Sequence, residues 1–220
     1  MNTNISLQKS ELLISKSNDS SKDTVVLFLP GISGKAFSER FQSVVDISLK
    51  VGYPIARMNA WESEAEVQQK TYSHYQSAIV EAIEHLQTLG YEKIIAIGKS
   101  FGGGLFLSLH HDAILKKILW APALGFAQKS TLEQLKDTVL SQIENLKEIK
   151  LSPDFLSLDS AILCFIHGTE DSAIPISTSR AFVQANSNAQ IIEIEGADHS
   201  FKTPESEVKL NDATEQFLRN

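Results

Sequence analysis

The segment Gly98-Lys99-Ser100-Phe101-Gly102 directly follows the apolar run Ile94-Ile95-Ala96-Ile97. A serine hydroxyl is a weak nucleophile at neutral pH. It needs a base within reach and donors for the oxyanion that forms when it attacks a carbonyl. Both needs have candidates downstream and upstream. Asp171 follows the run Ala161 to Ile166, and His199 follows the run Gln190 to Ile194. Serine, acid and histidine in that chain order suit nucleophilic hydrolysis. The glycines at 98 and 102 answer a steric need, because a sharp strand-to-helix turn leaves little room for side chains. Gly103 and Gly104 extend the stretch. A mid-helix glycine costs about 1 kcal/mol relative to alanine, so three together imply that close helix approach outweighs that cost.

Other chemistries fit the same residues poorly. Gly98-Lys99-Ser100 contains the end of a phosphate-loop motif, but position 93, where its first glycine belongs, is Lys93 and the residues between are strand-like. No G-x-G-x-x-G follows the first strong strand, so a nicotinamide cofactor is not expected. His110-His111-Asp112 has no further ligand set around it, and adjacent helical side chains diverge, so no metal is expected. The one cysteine, Cys164, lies in the apolar run 161–166 and reads as a packing residue. His74 and His85 are expected on a solvated helix face, opposite Tyr75 and Leu86.

The elements that must position these groups alternate between strand and helix. Strands are expected at Thr24–Leu29, Pro54–Met58, Ile94–Ile97, Ile118–Ala121, Ala161–Ile166 and Gln190–Ile194. Helical periodicity runs through Phe37, Phe41, Val44, Val45 and Leu49, closed by Gly52. It recurs from Tyr72 to Leu89 with Gly90 past the end, and from Phe101 to His111. A last helix is expected from Pro204 to Leu218, with Thr203 as its cap. Ile5 to Ser15 alternates weakly and suits an antiparallel edge. Such alternation implies one α/β domain over residues 1–220, a mostly parallel sheet with helices on both faces. In such sheets ligands bind at the carboxyl ends of the strands, where Ser100, Asp171 and His199 all fall. Residues 122–160 are expected to form a short helical insertion, with a Ser130–Glu133 capping box and an apolar stripe from Leu132 to Ile149. It reads either as a cover for the sheet edge or as a partial lid.

Composition narrows the partners. The chain has 220 residues, a formal net charge of -7 and 42% hydrophobic residues. Its sequence pI of about 5.4 offers no basic surface for a nucleic-acid backbone. The first residues, MNTNISLQKSELLISKS, hold no apolar signal core, and no stretch approaches the 18 or so apolar residues of a membrane span. A cytoplasmic monomer or homodimer is expected.

Taken together, three segments resemble the α/β-hydrolase superfamily over nearly the whole chain. Gly98 to Gly102 is similar to its nucleophile elbow. His167-Gly168-Thr169-Glu170-Asp171-Ser172-Ala173-Ile174-Pro175 resembles the segment that carries its acid, and Gly196-Ala197-Asp198-His199-Ser200-Phe201 the loop that carries its histidine. The resemblance implies an α/β-hydrolase fold, a three-layer sandwich, with Ser100 as nucleophile, Asp171 as acid and His199 as base. It also implies that His167 is a structural member of the acid loop. Glu170 and Asp198 are local rivals to Asp171, although Asp198, next to His199 in the chain, has poor geometry for holding the ring. The oxyanion donors are expected to be backbone N–H groups. One is Phe101; the other comes from the loop Leu29-Pro30-Gly31-Ile32-Ser33-Gly34, where the resemblance selects Ile32 and Ser33 is the nearest rival. The family often has His-Gly where this chain has Pro30-Gly31.

The expected activity is hydrolysis of a small carboxylic ester or thioester through an acyl-enzyme, with no cofactor. An amidase or peptidase of the same fold, or a non-catalytic binding protein, is the alternative. Trp61 is a candidate pocket wall or a core cover. Lys99 is expected to point to solvent or against the sheet surface, away from the pocket.

Overall fold

A computed structural model describes residues 2–21, 23–123 and 161–220. The expected insertion at 122–160, with its capping box and apolar stripe, lies outside the described residues except for Pro122 and Ala123. Among the described residues eight strands form one sheet: β1 (Asn2–Ser6), β2 (Glu11–Ser15), β3 (Thr24–Leu29), β4 (Ile55–Asn59), β5 (Lys93–Lys99), β6 (Ile114–Trp120), β7 (Ile162–Gly168) and β8 (Ala189–Ile194). Their order is β1-β2-β4-β3-β5-β6-β7-β8. The expected amino-terminal edge is a hairpin, with β1 antiparallel to β2 and β2 antiparallel to β4. The remaining pairs are parallel.

The helices are α1 (Gln42–Val51), α2 (Glu64–Gln69), α3 (Tyr72–Thr88), α4 (Phe101–Ser108), α5 (Ile176–Ala185) and α6 (Pro204–Arg219). They cover both faces. One core layer packs α3, α4 and α5 side chains such as Ile79, Leu105 and Phe182 on the sheet. The other packs Val44 of α1 and Phe217 of α6 against Phe28, Ile97 and Ile166. All eight residues of α4 are buried, which fits a helix that is apolar all round. Gly52 and Gly90 close α1 and α3 at φ of 101° and 95°, the left-handed position that favours glycine. Thr203 caps α6 by accepting the N–H of Ser206, and Pro204 stands in its first turn.

Four elements depart from the sequence expectation. The strand β6 begins at Ile114, four residues before the expected Ile118. Its lower half carries Lys116 and Lys117, two charged residues that are buried. Lys116 Nζ donates to the Phe217 carbonyl at 2.6 Å, and Lys117 Nζ donates to the Leu109 carbonyl at 2.8 Å. The helix α4 stops at Ser108, not His111, because Leu109 turns to extended backbone there. A one-turn 3-10 segment, Glu39–Phe41, precedes α1 and takes up the first part of the expected helix. The short helix α2 was not expected; Ser63 caps it by accepting the N–H of Glu66, while Glu66 Oε2 accepts the N–H of Glu62.

Candidate active site

Ser100 sits where β5 gives way to α4, at φ 50° and ψ -113°. Such a conformation strains any residue with a Cβ, and it persists only when its surroundings impose it. The surroundings are visible. Ser100 N–H donates to the Trp120 carbonyl at 2.9 Å, and its own carbonyl accepts the N–H groups of Gly104 and Ala123, both at 2.9 Å. A Cβ on Gly98 would lie 2.7 Å from Gly103 Cα, and one on Gly102 would lie 2.5 Å from the Pro30 carbonyl oxygen. Both glycines are therefore required by close backbone approach. Among the described residues the other non-glycine residues with positive φ are Ala121 and Phe201, at the end of β6 and in the histidine loop. Strain is thus gathered around one place.

The three expected groups converge there. His199 Nε2 lies 3.0 Å from Ser100 Oγ, and His199 Nδ1 lies 2.7 Å from Asp171 Oδ2. An ionised carboxylate only accepts, so His199 Nδ1 carries a proton and donates it to Asp171. Nε2 is then free to accept the Ser100 hydroxyl. The Asp171 side chain is fully buried. Burial alone would raise its pKa. The hydrogen bonds from His167 and His199, the charge of His199 and the N–H of Ile174 outweigh burial and hold it well below the usual carboxylate range. Its other oxygen, Oδ1, accepts the N–H groups of Ala173 at 2.9 Å and Ile174 at 2.7 Å.

His167 supports the acid. Its Nε2 is 3.1 Å from Asp171 Oδ2 and 2.9 Å from the Ile174 carbonyl, so Nε2 is the donor. Its Nδ1 then accepts the hydroxyl of Ser179 on α5, at 2.8 Å. The local rivals stand elsewhere. Glu170 is exposed. Asp198 Oδ1 accepts the N–H groups of Ser200 and Lys202, at 2.9 and 3.3 Å, and so shapes the histidine loop. The acid and histidine loops are stitched together: Thr169 N–H donates to the Ile194 carbonyl and Glu170 N–H to the Ala197 carbonyl, both at 3.0 Å. A Cβ on Gly168 would meet the Ala197 carbonyl oxygen at 2.2 Å, so only glycine lets the loops touch. Nothing in the spacing marked this contact.

The loop after β3 passes over the serine, with a Cβ built on Gly31 falling 3.2 Å from Ser100 Cβ. Gly34 N–H closes a tight turn on the Gly31 carbonyl at 2.9 Å. Ile32 and Ser33 are its central residues, and among the described residues their N–H groups have no partner. The N–H of Phe101, first residue of α4, is likewise open, as helix geometry requires. Trp61 is 5% exposed and packs on Tyr75 and Phe101 at centroid distances of 5.6 and 5.2 Å. Its indole N–H donates to the Ile32 carbonyl at 2.9 Å, which fixes the loop above Ser100.

Lys99 is not at the surface. It is 7% exposed, and its Nζ donates to the His199 carbonyl at 3.1 Å. His74 and His85 are half-buried, where solvated positions were expected. Among the described residues no group of three or more His, Cys, Asp or Glu could hold a metal, and no helix is long and apolar enough to cross a membrane.

The described architecture matches solved structures across the chain. Est1E from Butyrivibrio proteoclasticus superposes with a TM-score of 0.78 at 18% identity, covering 99% of this chain and 97% of its own. The esterase EaEST from Exiguobacterium antarcticum gives 0.71 at 16% identity, with full coverage of both chains. A dienelactone hydrolase from Anabaena variabilis gives 0.72 at 16% identity, covering 98% of this chain and 94% of its own. Comparison with curated proteins gives no match. The fold is that of the α/β hydrolases. Residues 60–211, which hold Ser100, Asp171 and His199, match the profile of the uncharacterised protein family UPF0227, and the chain belongs to that family.

Proposed function

We propose that the protein is a serine hydrolase that cleaves carboxylic ester or thioester bonds through an acyl-enzyme on Ser100. The observation that carries this reading is the relay from Asp171 through His199 to Ser100, at 2.7 and 3.0 Å, on a serine held at positive φ. In this reading Ser100 Oγ attacks the substrate carbonyl while His199 Nε2 takes its proton. Asp171 keeps the ring in the required tautomer and stabilises the imidazolium. The open N–H groups of Phe101 and Ile32 receive the oxyanion. His199 then returns the proton to the leaving alkoxide or thiolate. Water, deprotonated by the same nitrogen, releases the acid and restores Ser100.

The substrate is a small molecule in this reading. Residues 122–160 are too few to form a large cap domain, so short and medium acyl groups are proposed over long ones. The test is kcat/KM against p-nitrophenyl esters from acetate to palmitate, for the wild type and Ser100→Ala. Each methylene is worth at most about 1–3 kcal/mol in a matched pocket, so the rate should decline gradually past its optimum. A maximum at palmitate would overturn the substrate proposal, and equal turnover by Ser100→Ala would overturn the mechanism. Ferulic acid has been bound to Est1E, which makes methyl ferulate a useful second probe.

A further inference from the structure

The chemistry proposed above leaves Lys99 unused, yet burying an ammonium is costly unless its donors are met. Among the described residues Lys99 forms no ion pair. Its one hydrogen bond reaches across 100 residues of chain to the backbone of His199. We infer that Lys99 is a positioning residue: its ammonium holds the histidine loop from behind and so keeps His199 Nε2 within reach of Ser100. The inference rests on reading Ser100 as the nucleophile, and adds a residue that the triad does not contain.

The geometry supports a hold on the loop itself. Lys99 ends β5, and the next residue is Ser100, so serine and histidine are tied to one strand end. A cationic donor to a carbonyl is stronger than a neutral one. The start of the histidine loop is tied to the acid loop by the Glu170 N–H to Ala197 carbonyl bond at 3.0 Å. Past His199 the backbone has a 3.4 Å contact from Arg40 Nη2 to the Ser200 carbonyl and the turn at Asp198. Phe201 is held at φ 51° with its ring in the core. Behind the loop lies a cleft of about 350 Å³, lined by Lys99 with Arg40, Trp120, Lys202, Glu207 and Asn211. It leaves room for the loop to move if the hold is lost.

The charges facing Lys99 come from four elements. Arg40 lies in the 3-10 segment, Asp171 in the loop after β7, Asp198 and Lys202 in the histidine loop, and Glu207 in α6. Burial pushes the ammonium down to about 8. Arg40 and Lys202 push the same way, and Asp171 and Asp198 oppose it. The hold should therefore weaken above pH 8.

The test compares Lys99→Met and Lys99→Arg with wild type, by the rate of fluorophosphonate labelling at Ser100 and by kcat and KM on p-nitrophenyl acetate. Lys99→Met should fold with an equal or higher thermal midpoint, since an apolar side chain replaces a buried cation. Its labelling rate and kcat should fall about ten-fold with KM unchanged, the scale of a small misplacement of a reacting group. Wild type should slow above pH 8, Lys99→Met should lack that decline, and Lys99→Arg should restore the rate and carry it to higher pH. A Lys99→Met protein that labels within about twofold of wild type at every pH would overturn the inference. Should that variant not fold, a decline near pH 8 that persists unchanged in Lys99→Arg would overturn it. Wild type that never labels would overturn the nucleophile reading and this role with it, a result distinct from a labelled wild type and an indifferent variant.

Discussion

The two ends of the sheet bury lysines to different effect. In the amino-terminal half of β6, Lys116 and Lys117 donate to the carbonyls of Phe217 and Leu109. Those carbonyls end α6 and follow α4, so both lysines fasten helix ends to the sheet, where cations suit unpaired carbonyls. At the carboxyl end of β5, Lys99 donates to the carbonyl of His199 in a loop. The bonding is the same. The difference lies in what the acceptor carries: a helix end below, the proposed base His199 above. The comparison teaches that a buried ammonium can fasten a helix end or a loop, and on the reading proposed here the second fastening aligns His199.

That division can be broken most sharply at the carboxyl end. Ser100→Ala should lower kcat about a million-fold, the size of the loss when subtilisin loses its nucleophile, and leave the thermal midpoint nearly unchanged. Steady-state turnover and calorimetry on the same sample check both halves. Asp171→Asn should cost about ten-thousand-fold in kcat, as when a serine protease carries an amide at this place. Glu170→Gln, at an exposed position, should cost little. A reversal of these two would move the acid.

At the other end the effects should fall on stability. Lys117→Ala removes a fully buried side chain and leaves the Leu109 carbonyl without this donor, so it should cost about 3 kcal/mol of unfolding free energy. The labelling rate per folded molecule should not change. Urea unfolding and fluorophosphonate labelling together decide whether the two ends are separable.

Lys99 gives the smallest and most specific effect. Its folded-state value near 8 lies below the ordinary 10.5, so its burial opposes folding wherever it stays charged. Below pH 8 it is protonated in both states and the penalty is complete. Between 8 and 10.5 the unfolded chain holds the extra proton, so stability rises with pH in that window. The difference in unfolding free energy between wild type and Lys99→Met should shift in favour of wild type by about 2 kcal/mol from roughly pH 7.5 to 9.5. A flat difference would mean that Lys99 is not buried as described.

What the sequence made legible follows from local physics. The elbow could be read because its glycines answer contacts within a few residues and the strand before it is unbroken in apolar character. The cap of α6 and the closure of α1 and α3 were readable for the same reason. Asp171 and His199 were singled out by their place after strands and by resemblance, and the structure brings both side chains to Ser100. The lower half of β6 was hidden because Lys116 and Lys117 look like surface residues until their distant carbonyl partners are known. Of the two positions expected for Lys99, solvent and the sheet surface, the solvent one fails for the same reason, since its acceptor lies 100 residues on. The contact of Gly168 with Ala197, and the bond from Trp61 to Ile32, depend on loops that meet only in three dimensions.

The central claim is that Ser100 is the nucleophile, activated by His199. Intact-mass spectrometry after treatment with a fluorophosphonate, followed by peptide mapping, tests it most directly. The account predicts one adduct per chain, located on Ser100, absent from Ser100→Ala and strongly slowed in His199→Ala. A full-occupancy adduct on the Ser100→Ala protein, or an adduct on another residue of wild type with Ser100 unmodified, would contradict it.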